Sequence, residues 1–344
     1  MPMRLSPWCF RVLAVVICCT GLSCSDAGED ITIQGAGATF PAPLYKRWFL
    51  EYYQAHPGVR VNYQPIGSGA GIRQFTEGLV DFGASDAAMT DKEIEKVPAG
   101  VQLLPMTAGS IAVCYNLPGN VKELKLTRKT LVNILLGKID SWNDSAIAAA
   151  NPGASLPDMP ITFIRRSEGS GTTFAFTNHL SAISPDWKNG PGVGKGVVWP
   201  VGIGAKGNAG VAALIRQTPG SIGYVETGYA ELTQLPMAAI ENRSGHFIAP
   251  TAKSSQAALE GAKLPENLRV WITDPAGKDA YPIVTYTWIL CFKKYPDPKI
   301  AQTLKEVLRY CLTEGQKISP ELGYVPLPES VSGRVLRALE QIEP

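Results

Sequence analysis

Short apolar segments, glycine-rich turns and amphipathic segments alternate along the chain from Ile31 onward. ITIQGAGATF leads into PAPLYKRWFLEYYQAH, whose prolines lie in the first turn, where a helix tolerates them. VRVNYQPIG and DFGAS predict two further strands with a helix between them, and Thr90 with Glu93 forms a capping-box pattern. Strands that alternate with helices predict an α/β fold with a mostly parallel sheet.

Two long apolar strands are predicted at GSIAVCYNLPG (109–119) and YPIVTYTWILCF (281–292). They bracket a middle portion of the same βα character, so the chain crosses twice between its two parts. Two crossings favour a hinge over a single linker, and 344 residues suit two domains. We expect one lobe from 28–108 with 284–344 and a second from 109–283, with an amphipathic helix near the C-terminus (299–316).

The first 27 residues have the pattern of an export signal. Arg4 and Arg11 precede VLAVVICCTGL, an apolar run too short to span a bilayer, and small and polar residues follow. Cleavage is expected near Ala27, which predicts a periplasmic protein. Cys24 follows a Gly-Leu-Ser stretch that loosely matches a lipid-attachment site, so anchoring through this cysteine stays open.

Cysteines are sparse after the leader. Cys114, Cys291 and Cys311 have no Cys-x-x-Cys spacing, which argues against a metal knuckle or redox motif. We interpret them as small buried hydrophobic residues. A disulfide between Cys291 and Cys311 stays open, since spacing alone cannot show it.

Charge and motifs exclude several functions. A net charge of +2 without a basic run argues against nucleic-acid binding through bulk electrostatics. The chain has no G-x-S-x-G, H-E-x-x-H or P-loop motif, and its three histidines belong to no constellation, so we interpret them as surface or capping residues. We expect neither an enzyme nor a metal or cofactor site.

Four glycine-rich turns are expected after strands. They are GAGATF (35–40), GSGAG (67–71), EGSGTT (168–173) and GIGAKG (202–207). Ligands of doubly wound sheets bind at the carboxyl ends of strands, and N–H groups with hydroxyls at helix starts bind anions. Thr39, Ser68, Ser170 and Thr172 supply such hydroxyls, although each one alone is more often an N-cap.

The fourth turn, GIGAKG, also fits a dinucleotide-binding pattern, with Glu226 where the acidic residue would lie. Pro200 interrupts the preceding apolar segment, so we interpret GIGAKG as a structural turn. Asp86 follows DFGAS and has the ordinary interpretation of a turn or cap residue. Beside an anion site its carboxylate would repel the ligand, unless the anion brings a proton.

Seven segments in order resemble one family, from about Ile31 to about Pro328. They are GAGATFPAPLYKRW, NYQPIGSGAGIRQF, VDFGASDAAMTD, LGKIDSWND, RRSEGSGTTFAFTNHL, WPVGIGAKGNAGVAALI and GSIGYVE. Together they resemble the phosphate-binding proteins of bacterial ABC-type phosphate importers (the PstS family). The resemblance implies the two-lobed periplasmic binding protein fold (type II), with two crossover strands between the lobes.

The resemblance also implies a set of phosphate-binding residues. They are Thr39, Phe40, Ser68, Asp86, Arg166, Ser170, Gly171 and Thr172. Arg165 is the less favoured arginine, because successive strand residues face opposite ways. The family more often has aspartate where this chain has Glu168, and in some members that acid pairs with the binding arginine.

The implied function is extracytoplasmic binding of inorganic phosphate and its delivery, by a monomer, to permease and ATPase subunits of an importer. Asp86 would accept the proton of phosphate and reject fully ionised sulfate. A phosphoester hydrolase that shares the anion cradle is one alternative, but it needs a nucleophile or a metal cluster. A receptor for another oxyanion, such as sulfate or molybdate, is disfavoured by Asp86.

Overall fold

The computed structural model describes Met1, residues 30–119, Val121 and residues 123–344. The predicted export signal (1–27), with its cleavage site and Cys24, therefore lies outside the described residues apart from Met1. No helix among the described residues combines the length and the apolar character needed to cross a membrane.

The described chain contains strands and helices in alternation, which confirms the α/β class. The strands are β1 (Ile31–Gly37), β2 (Val59–Gln64), β3 (Phe82–Ser85), β4 (Val101–Asn116), β5 (Lys125–Leu126), β6 (Thr162–Arg166), β7 (Ile203–Ala205), β8 (Ser221–Glu226), β9 (Ala239–Glu241), β10 (Phe247–Ile248) and β11 (Val284–Phe292). The α-helices are α1 (Ala42–Ala55), α2 (Ser68–Thr76), α3 (Asp91–Ile94), α4 (Arg128–Leu135), α5 (Ser145–Ala150), α6 (Gly171–Ile183), α7 (Pro185–Asn189), α8 (Gly207–Gln217), α9 (Thr227–Leu232), α10 (Ala252–Glu260), α11 (Pro298–Leu312) and α12 (Glu329–Leu339), and a 3₁₀ helix covers Glu314–Leu322.

Eight strands form one mixed sheet in the order β2-β1-β3-β11-β4-β8-β6-β7, and β10-β9-β5 form a second, small sheet. All pairs within β1–β3 and within β6–β8 are parallel, as predicted. The antiparallel pairs of the large sheet all involve β4 or β11, the two crossover strands. The large sheet thus consists of two parallel halves joined by an antiparallel centre.

Strand β4 is longer than predicted, since it begins eight residues before the expected start at Gly109. Its first part pairs with β11 up to Ser110, and its second part pairs with β8 from Ile111. A register shift falls where β11 opposes Pro105, a residue with no N–H for the ladder. The proposed lobe boundary after residue 108 stays a prediction; it lies two residues before this change of partner.

Four further predictions, on a capping box, a helix, the cysteines and a histidine, had different outcomes. The capping box at Thr90 and Glu93 is present, with Glu93 N–H donating to Thr90 Oγ1. The C-terminal helix α11 ends at Leu312 and continues as the 3₁₀ helix. Cys114, Cys291 and Cys311 are buried free thiols, which answers the question of a Cys291–Cys311 disulfide. His179 is buried in α6, so its interpretation as a surface or capping residue was wrong.

GIGAKG was predicted as a turn after a strand, but its central residues Ile203–Ala205 are themselves strand β7. The segment expected as the strand, VVWPV, forms none. Pro200 explains this difference, because proline cannot donate to a sheet ladder and restricts the residue before it. Helix α8 therefore starts directly after β7, at the carboxyl end of that strand.

Gly71 illustrates how tightly helix α2 packs on the sheet. A Cβ at this position would lie 2.3 Å from Gly37 Cα and 2.8 Å from Ala36 O, both backbone atoms. We expect Gly71→Ala to lower the free energy of unfolding by about 1–3 kcal/mol, as overpacking does. Urea denaturation measures this change.

Gly333→Ala is the matched control, because Gly333 is also helical and an added Cβ would meet only Arg337 Nη1, at 3.9 Å. It should raise the free energy of unfolding by about 0.5–1 kcal/mol through helix propensity. Equal stability of Gly71→Ala and the wild type would contradict the packing argument.

Candidate anion-binding site

The predicted site residues lie at the carboxyl ends of β1, β3 and β6 and at the start of α2. Residues 38–40 follow β1, Ser68 begins α2, and Asp86 follows β3. Ser170 is the N-cap of α6, with its Oγ accepting from Thr173 N–H at 3.1 Å. β6 runs antiparallel to β1 and β3, because the crossover strands lie between them. The carboxyl ends of the two parallel halves therefore face each other, which explains why residues so distant in sequence meet.

The two halves of the molecule approach closely at this edge. A Cβ on Gly171 would lie 2.6 Å from Ser68 Oγ and 2.7 Å from Asp86 Cβ. Glycine is therefore required at position 171, where the start of α6 faces the start of α2. Gly69 N–H also donates to Gly169 O, at 2.9 Å.

Five buried backbone N–H groups at this point donate to no acceptor among the described residues. They belong to Thr39, Phe40, Ser68, Gly171 and Thr172. Buried N–H groups are nearly always paired in native proteins, and each unpaired one costs about 1–3 kcal/mol. Their concentration at two helix starts and one turn indicates a place for an external acceptor.

Three tyrosines hold the carbonyl groups of the first turn. Tyr63 donates to Ala38 O at 2.6 Å, Tyr229 to Thr39 O at 2.7 Å, and Tyr324 to Phe40 O at 2.7 Å. Because the carbonyl groups point to the tyrosines, the N–H groups of residues 39 and 40 are turned the other way, towards the cleft. The tyrosines come from three distant parts of the chain, and none of them was predicted as a residue of the site.

Arg166 supplies the positive charge and is almost fully buried, at 3% exposed. Its Nε donates to Glu168 Oε1 at 2.9 Å, its Nη2 forms a second, short contact with the same oxygen, and its Nη1 donates to Thr172 Oγ1 at 3.2 Å. A guanidinium has five N–H donors, so two are left without a partner among the described residues. Arg165 is less buried and contacts Arg166 O, in agreement with the predicted choice between the arginines.

Glu168 steadies Arg166 and belongs to the site's support. Burial raises the pKa of this carboxyl, but the charge and hydrogen bonds of Arg166 outweigh burial, so its pKa lies below its usual value. Gly207 N–H donates to the same carboxylate at 3.0 Å. The pairing implied by the resemblance is thus present with glutamate in place of aspartate.

Asp86 is 1% exposed and lies among donors. Its Oδ1 accepts from Thr287 Oγ1 at 2.9 Å, and its N–H donates to Ser68 Oγ at 3.2 Å. Burial raises the pKa of Asp86 to about 7, although hydrogen bonds from Thr287, Thr172 and Ser68 and the charge of Arg166 lower it. Thr287, in β11, was missed because a threonine in an apolar strand carries no signal of its own.

The raised pKa of Asp86 makes stability depend on pH. The folded protein holds this proton more tightly than the unfolded chain, so the contribution to stability is full below about pH 4 and is lost as pH rises to about 7. The total loss is roughly 4 kcal/mol, because each pKa unit contributes about 1.4 kcal/mol. Asp86→Asn should therefore gain up to that much relative to wild type between pH 4 and pH 8.

Urea denaturation of both ligand-free proteins at pH 4.5 and pH 8 measures the difference. Asp158→Asn, at an exposed position, is the control and should show no such gain. If Asp86→Asn differs from wild type by the same amount at both pH values, the carboxyl does not titrate in this range.

Glu226 ends β8 and caps α9, with its Oε1 accepting from Gly228 N–H at 2.7 Å. It also accepts from Tyr324 at 3.2 Å and is fully buried, and burial raises its pKa well above its usual range. Its place directly behind the first turn makes it a structural residue of the site.

Comparison with known proteins assigns the fold. A family model described as a PBP superfamily domain matches residues 25–314. A phosphate-bound periplasmic phosphate-binding protein (PfluDING) aligns with a TM-score of 0.72 at 19% identity, covering 89% of this chain and 93% of that chain. A phosphate-binding protein from Stenotrophomonas maltophilia gives 0.71 at 20%, with the same coverage. The fold is therefore that of the two-lobed periplasmic binding proteins, as predicted.

Curated relatives refine this class. The phosphate-binding protein PstS of Haemophilus influenzae is 43% identical over 304 residues, covering 87% of this chain and 90% of the relative. PstS of Xylella fastidiosa is 41% identical over 309 residues, covering 88% and 83%. The chain belongs to the PstS family of phosphate-binding proteins.

Proposed function

We propose that this protein is an extracytoplasmic receptor, not an enzyme, that binds inorganic phosphate and delivers it to an ABC-type importer. The observation that carries the proposal is the set of five buried N–H groups without protein acceptors, beside Arg166 and Asp86. The relatives named phosphate-binding protein support the same ligand.

Each predicted site residue has a distinct proposed role. Backbone N–H groups of Thr39, Phe40, Ser68, Gly171 and Thr172 would donate to phosphate oxygens, and Arg166 would add its two unpaired donors. Ser170 would contribute only its hydroxyl, because its N–H already donates to Lys195 O at 2.7 Å. Asp86 would accept a proton from the ligand.

Selectivity follows from one proton shared between Asp86 and the ligand. At neutral pH, phosphate carries at least one proton, whereas sulfate is fully ionised and can only accept. A pKa near 7 places Asp86 close to the ionisation range of phosphate, so the pair can hold one proton between them. Sulfate brings no proton, so Asp86 would have to take one from solvent before sulfate could bind. That step costs about 1.4 kcal/mol for each pH unit above the pKa of Asp86.

Titration calorimetry with phosphate and sulfate at pH 8 tests this function. We expect phosphate binding at micromolar concentration or below and sulfate binding weaker by at least about tenfold, the cost of protonating a carboxyl of pKa about 7 at pH 8. Asp86→Asn should lower the ratio of phosphate affinity to sulfate affinity, since an amide can donate a hydrogen bond to sulfate. An absence of phosphate binding, or equal binding of sulfate, would reject the function; an unchanged ratio in the variant would reject only the role of Asp86.

Location and partners are proposed from the leader and the family. The export signal in residues 1–27 supports a periplasmic protein, and Cys24 is the proposed site of any lipid anchor. We propose that a monomer delivers phosphate to the permease subunits, with the ATPase subunits driving transport. No cofactor is required by this scheme.

Ligand release is proposed to follow separation of two lobes, 28–108 with 284–344 and 109–283, about β4 and β11. Several contacts join these portions across the cleft. Lys195 Nζ lies 2.6 Å from Glu93 Oε1, and Arg269 donates to Met89 O at 2.9 Å. Because Lys195 O also accepts from Ser170 N–H, the ion pair is connected directly to the proposed ligand site.

Lys195→Met should therefore accelerate phosphate dissociation about two- to fivefold, the effect of losing one partly exposed ion pair. Stopped-flow release measures the rate. Lys138→Met is the control, since Lys138 and its partner Asp186 both lie within 109–283. Equal release rates for Lys195→Met and wild type would show that this pair does not hold the lobes together.

A further inference from the structure

Asn208, the second residue of α8, lies between the two sides of the cleft and is fully buried. Its Nδ2 donates to Thr39 Oγ1 at 2.9 Å and to Thr172 Oγ1 at 3.4 Å, and its backbone N–H approaches Thr39 Oγ1 at 3.3 Å. It therefore contacts one proposed phosphate-binding hydroxyl on each side.

The orientation of the Asn208 amide is determined by its other contact. Glu226 N–H donates to Asn208 Oδ1 at 3.0 Å. A backbone N–H can only donate, so the oxygen of the amide must face Glu226 and the NH₂ group must face the two threonines. Glu226 is itself held by the cap of α9 and by Tyr324, so the amide has a rigid support.

Hydrogen-bond counting then determines what the hydroxyls can do. A hydroxyl has two acceptor lone pairs and one proton. Thr39 Oγ1 accepts twice from Asn208, and Thr172 Oγ1 accepts from Arg166 and from Asn208. With their lone pairs occupied, both hydroxyls can only donate their remaining proton. The Thr172 proton already serves the Asp86 carboxyl, so the Thr39 hydroxyl is the one left to donate to an anion.

We propose that Asn208 is a positioning residue that makes the hydroxyl of Thr39 an obligatory donor to the anion. The inference rests on the proposed phosphate-binding function and deepens it. Because Thr39 lies in the first lobe and Asn208 and Thr172 in the second, this arrangement forms only when the lobes are together. Asn208 thereby links closure to the presentation of donors.

Phosphate affinity of purified, phosphate-depleted variants, measured by calorimetry, tests the proposal. Asn208→Ala should weaken phosphate binding about ten- to a hundredfold, because the Thr39 hydroxyl becomes free to turn away. Asn208→Asp keeps the shape and the bond from Glu226 but turns the donor into an acceptor. It should weaken binding further than alanine does at pH 8.

A double-mutant cycle separates action through Thr39 from a general structural effect. Thr39→Val removes the hydroxyl with little change of shape. If Asn208 acts through this hydroxyl, Asn208→Ala should cost much less affinity in the Thr39→Val background than in the wild type. If the losses of phosphate-binding free energy in Asn208→Ala and Thr39→Val simply add in the double variant, the proposal is overturned.

Asn116→Ala is the matched control, because Asn116 Nδ2 donates to Ile215 O and Arg216 O near the other end of the same helix. It should leave phosphate affinity unchanged.

Wild-type affinity in Asn208→Ala would overturn the inference while leaving the proposed function intact, whereas a wild-type protein that binds no phosphate would reject the function itself. Should Asn208→Ala not fold, Asn208→Asp tests the donor by itself, and wild-type phosphate affinity of this variant at pH 8 would overturn the proposal.

Discussion

Unpaired backbone N–H groups in a buried cleft are the constraint on which the rest of this structure depends. Each of them would cost about 1–3 kcal/mol if no acceptor arrived, and five of them lie at the starts of α2 and α6 and in the turn after β1. Three tyrosines hold the carbonyl groups of residues 38–40 and so turn the N–H groups of Thr39 and Phe40 towards the cleft. An anion that accepts hydrogen bonds from these N–H groups would remove this cost, so the arrangement of the backbone favours anion binding.

Two charged side chains, Arg166 and Asp86, add selectivity among anions to this set of N–H donors. Because Glu168 restrains Arg166, the guanidinium keeps one side-chain conformation and its two unpaired N–H donors point in one direction. Asp86 opposes that charge from the other side of the cleft, and burial holds its pKa near 7. A site with one fixed cation and one titratable acid favours an anion that can itself carry a proton.

A supporting layer connects the cleft to the cores of both lobes. Glu226, Asn208 and Tyr324 form a continuous set of hydrogen bonds behind the first turn. Each of these side chains is fully buried, so the layer is as rigid as the packing around it. These hydrogen bonds join the turn after β1 to the start of α8 and the end of β8.

The sequence alone determined the α/β class, the two crossovers and the family, because strand–turn–helix alternation and seven ordered segments are local signals. The glycine turns were predicted from the residues themselves, whereas Asp86 and Arg166 were named as site residues through the family resemblance. Thr287, Asn208 and the three tyrosines were decided only by the tertiary structure. Their roles depend on partners between 18 and 284 positions away, and nothing in a threonine of an apolar strand, or in an asparagine after a glycine, indicates which distant atom it will meet.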